Sequence, residues 1–189
     1  FEFEDNYLYA VTDHKDANGE AKQVVLMKPL TYMNLSGQAV KNFYQKYEIS
    51  KENILIIYDD VNIDLGVLRM RPSGSDGGQN GIKSVMYEME TDEIPRLRFG
   101  IRSGAEFESM RLEEGFSLAD YVLSGFEENE LELLDISVNA AKDAALSFVE
   151  SGIKETMNRF NRSVTEQKGL PNGNPGKNGT ETKGENNTN

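Results

Sequence analysis

The chain has 189 residues, 20 Lys and Arg against 32 Asp and Glu, a formal net charge of −12 and no cysteine. That length suits one ordinary domain with a sizeable core, or one domain and a tail. The lack of thiols excludes a disulfide framework, a thiolate metal site and a cysteine nucleophile, and the acidic balance argues against a generic nucleic-acid binder, whose footprint is basic.

No run is long enough to span a membrane and nothing at the start resembles a signal peptide, so a reducing, cytoplasmic location is expected. The opening Phe1-Glu2-Phe3-Glu4 carries no Met, which reads as a fragment or a processed product. Tyr7 to Val11 and Val24 to Met27 form two strands, joined by a polar turn from Thr12 to Glu20. His14, the only histidine, falls in that turn and reads as a solvated surface residue. Pro29 ends the second strand. Val40, Phe43, Tyr44 and Tyr47 then fall at i, i+3, i+4 and i+7, one apolar face of a helix. Asn34 precedes it. It can cap that helix or face a ligand, and spacing alone favours the cap.

Ile54 to Ile57 is a short apolar run of the kind seen in strands covered on both faces. Asp59 and Asp60 follow at its carboxyl end, where open α/β sheets place ligands. Val67 to Arg71 reads as a more exposed strand. The loop Gly74-Ser75-Asp76-Gly77-Gly78-Gln79-Asn80-Gly81 packs four glycines into eight positions, a density that implies left-handed backbone or close approach. A helix follows, with Ile82, Val85, Met86 and Met89 on one stripe. In the next strand Leu97, Phe99 and Ile101 alternate with Arg96, Arg98, Gly100 and Arg102, which predicts one buried and one basic face. Those arginines, with Arg69, Arg71 and Lys83, form a candidate positive patch. A solvated face fits the same pattern equally well.

Residues 104–117 read as a loop and 118–126 as a short strand or turn. Glu127 to Gly152 reads as a long helix with Leu134, Val138, Ala141, Ala145 and Phe148 on its stripe and Gly152 as its C-cap, followed by another turn or two to Asn161. From Arg162 onward the chain is polar and Asn-rich, a composition that cannot offset its ordering entropy and predicts a disordered tail.

Several chemistries fail on spacing. Ile82 separates Gly81 from Lys83 where a phosphate-binding P-loop needs them adjacent. Leu65 and Arg71 occupy the Gly and Glu positions of a calcium loop that would start at Asp60. One turn-bound His cannot build a Ser-His-Asp triad. The residues also lack a set of metal ligands. What remains is a cluster of Asn34, Asp59, Gln79, Asn80 and a helix start whose N–H groups can meet an anion. It suits positioning an ester or amide and a water, or orienting an imidazole. Read alone, it is a hydrolase-like or nucleotide-end site without its base.

The segments LMKPLTYMNLSG, YDDVNIDLG, GSDGGQNGIKS, RLRFGI and Ile153 to Phe160, in order and at the right spacing between about Val24 and Asn161, together resemble bacterial-type peptidyl-tRNA hydrolase. The resemblance implies a single three-layer α/β domain over residues 1–161, with a mixed twisted sheet between helices and the 162–189 tail outside it. It implies a cytoplasmic monomer without cofactor that cleaves the ester joining a peptide to the 3′ end of tRNA. Asp59 matches the carboxylate that orients the family's catalytic histidine. Tyr32, Asn34 and Asn80 match substrate contacts, and Gln79, where the family usually has His, is expected to contact substrate with them and to alter its handling, since Gln cannot titrate. Arg69, Arg71 and Arg98 match basic positions that could hold tRNA phosphates. The family's opening strand, with its Gly-Asn-Pro-Gly turn and Arg-His-Asn element, has no counterpart in the chain. The His it supplies is therefore missing, and the chain as given is expected to be inactive. Two other readings use the same scaffold: a non-catalytic RNA-binding relative, and a small-molecule esterase.

Overall fold

The computed structural model describes residues 1–16, 18–103 and 105–161, and the expected disordered tail lies outside the described residues. The first strands are β1 (Glu2–Glu4), β2 (Tyr7–Lys15) and β3 (Ala21–Pro29), an antiparallel sheet in that order. Pairing runs unbroken from Tyr7 opposite Pro29 to Lys15 opposite Ala21, so both strands outrun the expected apolar stretches. At the tip, Asp16 Oδ1 accepts from the N–H groups of Asn18 and Glu20, each at 2.9 Å. This side-chain turn is tight enough to let the polar residues before it pair as strand. His14 accordingly sits inside β2, opposite Lys22, and is half-buried with Nε2 2.8 Å from Glu150 Oε1. It is not the solvated turn residue expected from sequence.

The second sheet holds β4 (Ile56–Asp64), β5 (Leu68–Arg71) and β6 (Arg96–Arg102) in the order β4-β6-β5. β6 runs parallel to β4 and antiparallel to β5. One helical layer covers one face of both sheets. In it, α1 (Ser36–Tyr47) and α2 (Asn80–Met89) bury Val40, Val85 and Met89 against Ile94, with Met27, Ile54 and Ile56 packed alongside. Tyr7 and Phe43 meet edge-on at 5.4 Å under the first sheet. The opposite face of the second sheet carries α5 (Leu131–Phe160), whose Ala140, Ala141, Ala144 and Phe148 lie on Leu68, Met70 and Leu97. This is the mixed α/β layering that the motifs implied, with the strands divided between two sheets.

The buried stripe of α5 is rotated from the one expected. Val138 is 52% exposed while Ser137 is fully buried, because the Ser137 hydroxyl donates to Leu133 O at 2.6 Å and needs no water. Gly152, with φ 74 and ψ 179, breaks the helix, as its place at a helix end suggested. Beyond it, Asn161 pairs with both backbone groups of Met70, accepting from its N–H at 2.5 Å and donating to its carbonyl at 3.1 Å.

Residues 105–126 are not a loop followed by a strand. They contain two six-residue helices, α3 (Ala105–Met110) and α4 (Leu118–Leu123). Phe107 packs edge-on against Phe116 and Tyr121, and Ser117 caps α4 by accepting from Asp120 N at 3.2 Å. Helices this short present too little period to be seen.

The tightest joint in the helical layer is Gly37. A Cβ built there would lie 2.1 Å from the Ser84 carbonyl oxygen, and the Gly37 N–H donates to Ser84 Oγ at 3.0 Å. The three atoms such a Cβ would meet, Ser84 O, Ser84 C and Val85 N, are all backbone of α2, so none can swing aside. Gly37→Ala is expected to lower stability by about 2–3 kcal/mol through overpacking, measured by urea unfolding, whereas Gly125→Ala, with nothing within 4 Å, stays within about 0.5 kcal/mol.

Candidate active site

The site starts from β4, which is longer than its apolar run suggested. Asp59 and Asp60 lie within the strand, opposite Phe99 and Gly100 of β6, and not beyond its end. β4 is also an edge strand, so Ile57 is 52% exposed and the run is not covered on both faces. Alternation then sends the two neighbouring carboxylates to opposite faces, where they meet different fates. Asp60 is 2% exposed. Its Oδ1 accepts from the backbone N–H of Asn62 at 2.9 Å and from Asn62 Nδ2 at 3.1 Å, and its Oδ2 accepts from Arg98 Nε at 2.7 Å. Asp59 is half-buried and its carboxylate makes no hydrogen bond or ion pair to any described residue. Asp60 is spoken for; Asp59 is available.

The glycine loop is brought to Asp59 by two anchors. Gln79 Nε2 donates to the Asp59 carbonyl at 3.0 Å, so Asn80, the first residue of α2, stands next to that contact. Arg96 holds the other end. The residue is 3% exposed and its guanidinium donates to Ile94 O at 3.3 Å, Ser75 O at 2.9 Å and Asp92 O at 3.0 Å. Alternation placed Arg96 on an exposed basic face; three carbonyl partners allow it to be buried instead. No periodicity signals this role.

A 3-10 turn at Met33–Leu35 carries the remaining residues. Met33 Sδ lies 2.7 Å from where a Cβ on Gly81 would sit, so this turn rests on the first turn of α2 and brings Asn34 beside Asn80. The N-cap of α1 is Leu35 and no side chain caps it. The capping role that spacing favoured for Asn34 is therefore not taken up. Asn34 and Asn80 are exposed, Tyr32 is 82% exposed, and none of the three side chains bonds to another described residue.

The arginines divide as well. Arg69 lies directly opposite Arg98, and Arg71 opposite Arg96. Like charges so placed repel. Asp60 neutralises Arg98, and Arg102 pairs with Asp64 at 2.6 Å. Arg69 and Arg71 donate only to the carbonyls of Leu68 and Met70, at 3.2 and 2.9 Å. Burial pushes the Tyr58 hydroxyl pKa up, with Arg96 and Arg98 opposing, so Tyr58 remains neutral between them.

Residues 3–168 match the sequence model of the peptidyl-tRNA hydrolase family. The chain belongs to that family. A peptidyl-tRNA hydrolase of Elusimicrobium minutum (strain Pei191) is 44% identical over 141 residues, covering 75% of this chain and 71% of that protein. One from Clostridium botulinum (strain Alaska E43 / Type E3) is 42% identical over 139 residues, covering 74% and 68%. Among solved structures, peptidyl-tRNA hydrolase from Acinetobacter baumannii at 1.00 Å resolution superposes with a TM-score of 0.65 at 28% identity, covering 82% of this chain and 79% of that one. A peptidyl-tRNA hydrolase in complex with N-propanol gives 0.66 at 29% identity, covering 81% and 78%. No helix among the described residues is long and apolar enough to cross a membrane.

The contrast between the aspartates has a direct consequence for stability. Asp60→Asn leaves the Arg98 charge without its carboxylate and is expected to cost about 2–3 kcal/mol in a urea melt. Asp59→Asn, which breaks no bond, changes it by no more than about 0.5 kcal/mol. Equal losses would mean that Asp59 also has a structural partner.

Proposed function

We propose that this chain acts in hydrolysis of the ester between a peptide and tRNA, with Asp59 as the carboxylate that orients an imidazole base. The observation that carries the reading is the availability of Asp59, beside an Asp60 whose oxygens are already bonded. An imidazole held by Asp59 takes a proton from water, and the resulting hydroxide attacks the ester carbonyl. The amide groups of Asn34 and Asn80 donate to the oxygen that becomes negative in the tetrahedral intermediate. Collapse expels the ribose oxygen, which takes back the proton held by the imidazolium and leaves as the 3′ hydroxyl of free tRNA, and the peptide acid loses its proton to water and leaves as a carboxylate. Tyr32 offers a flat apolar surface for the peptide or the terminal base, and Arg69 and Arg71 are the phosphate contacts, with Arg98 contributing less because Asp60 already holds it. Residues 1–161 form the working domain. The absence of cysteine fits a reducing cytoplasm, where the protein works as a monomer.

His14 does not serve as that imidazole. It belongs to the other sheet, where Glu150 holds its Nε2. Within residues 1–189, then, Asp59 has no imidazole to orient. Purified chain is expected to release peptide from N-blocked aminoacyl-tRNA only slowly, and added imidazole should accelerate release beyond its effect in buffer. Asp59→Ala should abolish that excess while leaving RNA binding intact. Release without imidazole that is lost in Asp59→Ala would mean that a base within the chain has been overlooked.

The phosphate contacts give a separate test. Affinity for a CCA-ended RNA hairpin is expected to fall with salt, and replacing both Arg69 and Arg71 by Gln should reduce the slope of log affinity against log salt by about 2. An unchanged slope would remove these arginines from the interface. Salt-insensitive activity on short esters would favour the small-molecule esterase instead.

A further inference from the structure

We propose that Gln79 is a positioning residue and not a substrate contact: its carboxamide is a strut that fixes Asn80 relative to Asp59. The inference rests on the hydrolase reading of the same site and says how its two halves are kept in register.

Gln79 is the N-cap residue of α2, yet its side chain makes no capping bond. An ordinary N-cap turns its side chain back onto its own helix. Gln79 instead reaches across to β4 and donates Nε2 to the Asp59 carbonyl at 3.0 Å. Since the acceptor is a carbonyl, the amide nitrogen must be the group facing it, which leaves Oε1 pointing elsewhere. The backbone of Gln79 is held too. Its N–H donates to Asp76 O at 3.1 Å, and its carbonyl accepts from Lys83 N at 2.9 Å. Asp76 in turn tightens the loop by accepting the Gly78 N–H on Oδ1 at 2.7 Å. Gln79 is half-buried, whereas Asn80 after it is exposed. The chain therefore places a residue held by its backbone N–H, its carbonyl and its side-chain Nε2 between loop and strand, and the next residue projects a free amide.

Two chemical consequences follow. A short link joins the helix start that carries Asn80 to the peptide unit of Asp59, so a displacement of one carries the other with it. The link is also neutral: a carboxamide neither gains nor loses a proton across the working range, so the separation of the two groups stays the same whatever the pH.

The test uses the 189-residue chain with imidazole supplied, N-blocked aminoacyl-tRNA as substrate, and Gln79→Glu, which keeps the shape and removes the donor, beside Gln79→His, which keeps a ring N–H. Positioning predicts that Gln79→Glu lowers kcat by about tenfold or more through misplaced groups, with KM within about twofold, and that Gln79→His recovers most of the loss. A rise in KM with unchanged kcat would make Gln79 a substrate contact and overturn the proposal, as would no change in either. Should Gln79→Glu fail to fold, Gln79→Met removes the same donor without a charge and is read by the same criteria.

If the unsubstituted chain shows no Asp59-dependent release, the hydrolase reading fails on its own, and the strut is decided by NMR. Hydrogen exchange of the Gln79 carboxamide about tenfold slower than that of Gln38 and Gln45, with Asp59 and Asn80 amide resonances shifting together in the variant, supports it. Exchange as fast as theirs overturns it.

Discussion

The site depends on how closely α1 can lie on α2. At Gly37 the two backbones approach so nearly that even a methyl group would strike the Ser84 carbonyl. Glycine inside a helix is disfavoured by roughly 1 kcal/mol relative to alanine, so its presence here reflects what the close approach achieves. It sets the height of α1 over α2 and, through the turn at Met33–Leu35, sets Met33 on Gly81. Asn34 and Asn80 come from different elements, and only this double contact makes them neighbours. The second anchor is polar. Arg96 fastens the glycine loop through carbonyls alone, with no ion pair among its described contacts. A guanidinium is suited to this because its donors form a rigid planar fork.

The electrostatics of the second sheet explain how an acidic chain can offer a surface to a polyanion. The net charge of −12 is a sum, and screening over about 8–10 Å makes the local arrangement matter more than the total. β5 and β6 place Arg69 opposite Arg98 and Arg71 opposite Arg96. The repulsion is relieved selectively: Asp60 takes Arg98 and three carbonyls take Arg96, which leaves Arg69 and Arg71 with their charge uncompensated by any described carboxylate. The members on the central strand are held by the fold, and those on β5 keep a positive charge that no described carboxylate offsets.

Much of this was legible in the sequence, and the exceptions share a cause. Hydrophobic period and turn residues located β2, β3, β5, β6, α1, α2 and the long closing helix, and five ordered motifs identified the family. Three kinds of feature were hidden. Polar residues that satisfy themselves locally look exposed and are not, as with Ser137 on Leu133 O and Arg96 on its carbonyls. Short helices packed by aromatic contacts, α3 and α4, carry too little period. Contacts between distant segments leave no local trace, which is why His14 on Glu150 and Gln79 on the Asp59 carbonyl could not be read. The candidate site residues were visible as types, an Asp, two Asn and a Gln beside glycines. Their division of labour was not.

That division follows from saturation. Among the described residues, chemically identical groups contrast: one carboxylate, one amide and one guanidinium are tied to partners of the fold, while a counterpart of each has no carboxylate, amide or charged partner. The Asp60 carboxylate has three donors and the Asp59 carboxylate has none among the described residues. Asn161 spends both halves of its amide on Met70, closing the β5 edge, while Asn34 spends neither. Arg98 is paired and Arg69 is not. A buried polar group without partners is expensive, so the fold saturates those it encloses. A group left free on a surface that rigid contacts hold in place keeps its full hydrogen-bonding capacity for something else. Such free groups could be scattered over any protein surface. Asn34 and Asn80 sit on segments that Met33 and Gly81 press together, and Gln79 ties the start of α2 to the peptide unit of Asp59, so three of these candidate residues come from adjoining segments and not from scattered ones.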